Sequence, residues 1–162
     1  MAIDIRPATE RDHEAILALT LRTWEPVYAS VNAVLGPQLA QLLHGTNWQD
    51  HQTLEVREAL ASSAMHFWVS HAAGAVTGFV GARIVDPRRL IGEVYIVGVD
   101  PAAQRRGIGA ALTEHAAQWL RGEGMQVAAI STGGAPGHAA ARALYDSLGY
   151  RPLVGVQYFK AL

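Results

Sequence analysis

The sequence contains no cysteine in its 162 residues. This absence excludes disulfide bonds, metal sites built on thiolates, and a mechanism that carries an acyl group on a cysteine. An excess of one charge is also missing, since 13 Lys and Arg stand against 14 Asp and Glu, for a formal net charge of -1. The chain therefore has no long-range attraction for nucleic acid, and we expect any anion site to be local.

Long apolar runs are missing as well. No segment approaches the roughly 18 apolar residues that a membrane span needs, and the charged N-terminal stretch does not look like a secretory signal. We therefore expect a cytoplasmic protein with no membrane partner. Hydrophobic residues make up 50% of the sequence, which is enough for a substantial core, and the length fits a single domain over residues 1–162.

The hydrophobic periodicity predicts a mixed α/β fold with the order β, helices, βββ, α, β, α, β. Alternating isoleucines near the N-terminus indicate a strand, and the helix after it is expected to end before Pro26. Residues 27–63 indicate further helices, and the β-rich runs between residues 66 and 101 indicate an antiparallel meander. The final segment, VGVQYFKAL at 154–162, predicts a last strand.

The stretch DPAAQRRGIGAAL, residues 100–112, places glycines between a predicted strand and a predicted helix. The start of a helix offers free N–H groups and the positive end of its dipole, so glycines there let an anion approach the backbone. A Walker loop is excluded because the chain has no Gly-Lys pair. A Rossmann loop does not fit either, since Leu112 occupies the third small position.

The remaining phosphate-binding pattern is Q/R-x-x-G-x-G/A, which Gln104, Gly107 and Gly109 satisfy. Arg105 and Arg106 lie inside this pattern and add cationic donors for a pyrophosphate. On the pattern alone, a charged surface loop at the start of a helix is an equal alternative.

The flanking residues extend this pattern, and with them the sequence resembles the GCN5-related N-acetyltransferases, the GNAT superfamily. Residues 93–112 are similar to the family's fourth strand, pyrophosphate loop and third helix, and residues 138–153 to its later helix. One departure is His138, where the family commonly has Asn. The resemblance implies a mixed, mostly antiparallel sheet that is flanked by helices and splayed between strands four and five. The matching positions of the later helix are Ala141, Tyr145, Gly149 and Tyr150.

The resemblance implies acetyl-CoA as the cosubstrate. Its pyrophosphate would lie on the loop, its pantetheine arm on the strand edge at Val97 and Val99, and the Val97 N–H would face the thioester carbonyl. Core packing is the alternative for the two valines, and His138 would either contact the cofactor or cap its helix. The implied cofactor-binding residues are Val97, Val99, Gln104, Arg105, Arg106, Gly107, Ile108, Gly109, Ala110 and His138.

The resemblance also implies two catalytic residues. Glu93 is the candidate base for the attacking amine, and strand periodicity predicts that it faces the same way as Val97. Tyr145 is the candidate acid for the departing thiolate, because a phenol with a pKa of about 10 is protonated at neutral pH. The alternatives are a solvated carboxylate at the strand end and a packed helix aromatic.

The function implied is transfer of acetyl to a primary amine by direct attack in a ternary complex. A non-catalytic acyl-CoA sensor is the alternative. The acceptor is a small-molecule or peptide amine of open identity, and Trp24, Tyr28, Trp48 and Asp50 would either line its pocket or pack in the core.

The histidines lack metal-ligand spacing, so no metal is expected. The resemblance leaves open a homodimer through the strand at residues 157–160.

Overall fold

The computed structural model describes residues 3–162 of the chain. Within them five strands form one sheet, and five α-helices cover its faces. The predicted meander, the helical region before it and the fifth strand are all present. The strands are β1 (Asp4–Pro7), β2 (His66–Ala72), β3 (Ala75–Asp86), β4 (Ile91–Val99) and β5 (Val127–Ile130), and the helices are α1 (His13–Leu35), α2 (Pro37–His44), α3 (Trp48–Ala61), α4 (Ile108–Gly122) and α5 (Ala139–Ser147).

The sheet has the order β1-β2-β3-β4-β5. The first four strands pair antiparallel with their neighbours, whereas β4 and β5 are parallel. This parallel pairing covers only Ile91–Val94 of β4 and Val127–Ile130 of β5, although β4 continues to Val99. The predicted α/β fold, with a mostly antiparallel sheet splayed between strands four and five, is confirmed.

A β-bulge at Tyr95 changes which way β4 side chains point. Ala82 of β3 pairs with Val94, and the preceding Gly81 pairs with Ile96, so Tyr95 is an extra residue without a partner of its own. An extra residue shifts the alternation of side chains along a strand. Residues 93 and 97 therefore lie on opposite faces of the sheet, and the expectation that they share a face is wrong.

Two hydrophobic clusters lie on the two faces of the sheet. Fully burying one aliphatic or aromatic side chain contributes about 1.5–3 kcal/mol, so these clusters supply most of the force that attaches the helices. The cluster under α4 includes Val80, Ala82, Val94, Leu112, Ala116 and Leu120. The cluster under α1 and α3 includes Ile16, Leu19, Val56, Val69, Phe79 and Ile96.

Helix α1 runs through Pro26, where the sequence predicts its end. A proline inside a helix removes one hydrogen bond and costs roughly 3 kcal/mol. Packing beyond the proline offsets this cost, because Tyr28 is buried and stacks on Trp48 of α3 with ring centroids 4.4 Å apart.

No helix within residues 3–162 combines the length and apolar character needed to cross a membrane.

The expected last strand is absent from the described chain. Residues 151–162 form neither helix nor strand, and Leu153, Val154 and Tyr158 are exposed. A strand exists only when its backbone groups find partners, and apolar alternation does not supply them. Pro152 has no backbone N–H to donate to a neighbouring strand, and Gly155 makes the backbone more flexible. The homodimer contact expected at residues 157–160 stays a prediction. These residues do not form a strand in the described chain.

Candidate active site

A cavity of about 810 Å³ opens where β4 and β5 separate. Its walls come from α1, from β4 and the loop after it, from the first turn of α4, from the end of β5 with the residues that follow it, and from α5 with the turn before it. Glu93 and Arg106 lie outside the walls. The predicted residues that line the cavity are Val97, Val99, Gln104, Arg105, Gly107, Ile108, Gly109, Ala110, His138 and Tyr145.

Asp100 braces the turn that leads out of β4. Its N–H donates to the Thr77 carbonyl at 2.9 Å, and its Oδ1 accepts from the Ala102 N–H at 2.9 Å. Arg22 of α1 donates through Nε to Asp100 Oδ2 at 3.2 Å, and this contact lowers the pKa of the Asp100 carboxyl. The turn is thereby attached to both β3 and α1.

Gly107 begins α4 in a conformation that favours glycine. Its φ of 80° lies in the left-handed region, as does the φ of 62° at Arg105. The Gly107 carbonyl accepts from the Ala111 N–H at 3.0 Å, and an added Cβ would meet only Ile3 Cδ1, at 3.9 Å. Open space therefore lies over the helix start. By helix geometry, the N–H groups that have no acceptor within α4 are those of Ile108, Gly109 and Ala110.

The two loop arginines are exposed, and neither takes part in a salt bridge within the described part of the chain. Arg105 lines the cavity and Arg106 lies beside it in sequence. The guanidinium groups can therefore bind an anion from solution without breaking an existing salt bridge. Gln104 has a different role, because its Nε2 donates to the Val99 carbonyl at 3.2 Å and so closes the loop.

Val97 and Val99 belong both to the hydrophobic core and to the cavity wall. Their side chains pack against the cluster under α4, and both residues line the cavity. The Val99 carbonyl already accepts from Gln104, and Thr23 Oγ1 of α1 lies 3.3 Å from it. The two interpretations of these valines, core packing and cofactor binding, are compatible, since the first uses the side chains and the second uses the backbone.

Tyr145 lines the cavity from α5 and is partly buried. Burial raises the pKa of its hydroxyl to about 12, with a smaller contribution from Tyr150, whose ring centroid is 6.1 Å away. The hydroxyl is therefore protonated throughout the physiological pH range. Tyr145 can donate a proton or a hydrogen bond to a group in the cavity.

His138 carries an unused hydrogen-bonding atom in the wall of the cavity. Its Nδ1 is buried and has no partner in the described residues, and the helix that it precedes receives no side-chain cap from it. Burial lowers the pKa of His138, and Arg142 lowers it further. The ring is therefore neutral near pH 7 and can hydrogen-bond to a ligand, which favours the contact role over the capping role.

Glu93 lies beside the cavity and on the other face of the sheet from Val97. Its Oε2 accepts from Arg83 Nε at 2.8 Å across β3 and β4, and the Arg83 guanidinium lies 4.9 Å from the centroid of the Tyr95 ring. Tyr95 itself lines the cavity. Glu93 is thus held at the bulge, on the side of the sheet that α1 and α3 cover.

The four residues considered for an acceptor pocket do not line one cavity together. Trp24 lines the cavity, whereas Tyr28, Trp48 and Asp50 lie outside its walls. Tyr28 instead donates to Gln52 Oε1 at 2.9 Å and stacks on Trp48, so both aromatics belong to the packing of α1 against α3. No group of three or more metal-ligating side chains was found in residues 3–162.

Several residues that shape the cavity were missed in the sequence. Thr23, Pro26 and Val27 line it because α1 continues past its proline. Arg142 of α5 donates to the carbonyls of Gly133 and Ala135, at 2.7 and 3.0 Å, and so orders the loop before the helix. The only signal for this loop was its run of glycines around Pro136.

The chain is similar to curated proteins over most of its length. It is 32% identical over 151 residues to a mycothiol acetyltransferase from Beutenbergia cavernae, an alignment that covers 93% of this chain and 45% of that protein. A mycothiol acetyltransferase from Saccharomonospora viridis is 31% identical over 157 residues, which cover 91% of this chain and 45% of that one. The chain thus spans less than half the length of these relatives.

The fold is shared with solved structures at low identity. A tetramutant of the BH1408 protein from Bacillus halodurans superposes with a TM-score of 0.75 and 16% identity, covering 98% of this chain and 99% of that one. This likeness concerns the fold alone.

A family profile gives the more specific result. The model of the Acetyltransferase (GNAT) family matches residues 36–150, which include the bulged strand, the loop, the start of α4 and Tyr145. Together with the splayed sheet and the glycine loop at the start of α4, this match shows that the chain belongs to the acetyltransferase (GNAT) family.

Proposed function

We propose that this protein is an acetyl-CoA-dependent N-acetyltransferase that transfers acetyl to a primary amine by direct attack in a ternary complex. The observation that carries the proposal is one cavity lined both by the start of α4 at Gly107, with its free N–H groups, and by Tyr145, whose hydroxyl is protonated. An acyl donor with a pyrophosphate and a thiol leaving group would use both features, the helix start for the pyrophosphate and the hydroxyl for the leaving sulfur. The proposal treats residues 1–162 as one acetyltransferase domain.

The loop fits the pyrophosphate of CoA. Free N–H groups at the start of α4, the helix dipole and the guanidinium groups of Arg105 and Arg106 would hold its negative charge. The unpaired edge of β4 at Val97 and Val99 would hold the pantetheine arm, and His138 Nδ1 supplies a further hydrogen-bonding atom beside it.

The acceptor would enter from the α1 side, where Trp24 and Val27 line the cavity. The amine nitrogen forms the new C–N bond with the acetyl carbon, and the C–S bond breaks with its electron pair left on sulfur. Glu93, on that side of the sheet, takes the amine proton directly or through water. The Val97 N–H stabilises the charge that develops on the carbonyl oxygen. Tyr145 donates its hydroxyl proton to the sulfur.

A non-catalytic acyl-CoA-binding module is the second candidate. The observation that favours it is the engagement of Glu93 by Arg83 outside the cavity wall. Such a protein would keep the loop and bind acetyl-CoA without turnover.

An amine panel tests the proposed reaction. We expect release of free CoA with one class of primary amine among polyamines, aminoglycosides, lysine peptides, peptide N-termini and the acceptor of mycothiol acetyltransferases. For acceptors that carry no thiol of their own, a thiol reagent reports CoA alone, because the chain has no cysteine. Tight binding of acetyl-CoA with no turnover on any class would favour the second candidate.

The loop is tested by Gly107→Asp. We expect the dissociation constant for CoA to rise about tenfold to a hundredfold, since a carboxylate would stand where the pyrophosphate approaches. The matched control is Gly124→Asp just beyond α4, where φ is 84° and nothing lies within 4 Å of an added Cβ. It carries the same backbone strain far from the loop. Equal effects of the two variants in calorimetry would refute the loop assignment.

The acid role is tested by Tyr145→Phe. We expect kcat to fall about a hundredfold while CoA affinity is retained, because the lost proton donor acts on the leaving sulfur. Tyr150→Phe removes the hydroxyl of the neighbouring ring, which lies outside the cavity wall, and should leave kcat unchanged. Wild-type kcat in Tyr145→Phe would remove this residue from the mechanism.

The base role is tested by Glu93→Gln, which keeps an acceptor for Arg83 but cannot take a proton. We expect kcat/KM at neutral pH to fall about a hundredfold, and the deficit to shrink as rising pH deprotonates the amine in solution. The control is Glu58→Gln, because Glu58 is an exposed carboxylate that, like Glu93, raises the pKa of Tyr95. A deficit that stays constant with pH would make Glu93 only the partner of Arg83.

A further inference from the structure

The backbone of Gly137 lies directly on α1. Its N–H donates to Ser30 Oγ at 3.0 Å, in the short turn Pro136–His138 that precedes α5. An added Cβ would lie 2.5 Å from Ser30 Oγ, 2.8 Å from Val27 Cα and 2.9 Å from the Pro26 carbonyl oxygen. The φ of Gly137 is outside the left-handed region, so glycine is needed here for space alone.

This contact is important because α5 is weakly anchored by its own side chains. None of its residues is fully buried. Leu144 approaches the start of α4, with its Cδ2 3.2 Å from the position of a Cβ on Gly109. At the other end, Arg142 ties the first turn of α5 to the carbonyls of Gly133 and Ala135. The loop held by Arg142 is in turn tied to α1 through Gly137 and Ser30.

We propose that Ser30, Gly137 and Arg142 form a positioning clasp that holds the Tyr145 hydroxyl toward the leaving sulfur. Tyr145 lies three residues after Arg142, about one turn along α5, so a shift of the loop moves it as part of the same helix. Ser30 and Arg142 lie outside the cavity wall, and Gly137 contributes only backbone to it, so the three residues act on Tyr145 through α5. The inference rests on the proposed acid role of Tyr145.

The test is the titration of the CoA thiol in its complex with the protein, followed by thiolate absorbance. The absence of cysteine leaves CoA as the only thiol in the complex. A hydroxyl that donates to sulfur stabilises the thiolate, so Tyr145→Phe should raise the titration midpoint by about 1 pH unit. Gly137→Ala should raise it by a comparable amount, because the added Cβ forces the loop away from α1.

Non-additivity separates positioning from a general loss of structure. In the Tyr145→Phe background, Gly137→Ala should cause no further shift of the midpoint, since the hydroxyl it displaces is already gone. The matched control is Gly134→Ala in the same loop, where nothing lies within 4 Å of an added Cβ and φ is not positive. It should leave the midpoint at the wild-type value.

The outcomes are distinct. A shift in Tyr145→Phe with none in Gly137→Ala, or additive shifts in the double variant, would overturn the clasp alone. No shift in Tyr145→Phe would overturn the acid role and the clasp with it. If Gly137→Ala does not fold, Ser30→Ala replaces it in the same cycle, because it deletes the hydrogen bond without adding volume, and the same shifts decide.

Discussion

The parting of β4 from β5 is the constraint on which the rest of the molecule depends. The two strands pair over four residues and then separate, although β4 continues for five more. Parallel strands need a crossover between them, and here α4 and the loop before it form that crossover. The start of α4 therefore lies at the mouth of the gap, and its free N–H groups lie at one end of the cavity.

The bulge at Tyr95 gives the two faces of the sheet different roles. Before it, Val94 packs under α4 and Glu93 pairs with Arg83 on the face covered by α1 and α3. After it, Val97 faces α4 and Ile96 faces α1. In the proposed reaction this separation places the base on the acceptor side, while the loop and the unpaired edge of β4 receive the acyl donor.

Helix α1 links the turn after β4 to the turn before α5. Arg22 reaches the turn after β4, Thr23 reaches the Val99 carbonyl, and Ser30 receives the turn before α5. These contacts span both sides of Pro26, so a helix that ended at the proline could not make all of them.

Much of the fold could be predicted from the sequence, because it depends on local patterns. Alternation indicated the meander, helical spacing indicated α4, and the spacing of Gln104, Gly107 and Gly109 indicated the loop. Three predictions failed where partners distant in sequence decide. Tyr28 found a stacking partner that carries α1 past Pro26, residues 154–162 found no strand to pair with, and the extra residue at Tyr95 depends on how β3 aligns with β4.

The loop in DPAAQRRGIGAAL follows from the sequence itself, since glycine spacing and helix starts are local properties of the chain, whereas Tyr145 became a candidate acid through the family resemblance of residues 138–153. The face of Glu93, the lining of the cavity by α1 and the contact of Gly137 with Ser30 were decided only by the tertiary structure. Each of these depends on the register or close approach of segments far apart in sequence, and no local pattern records it.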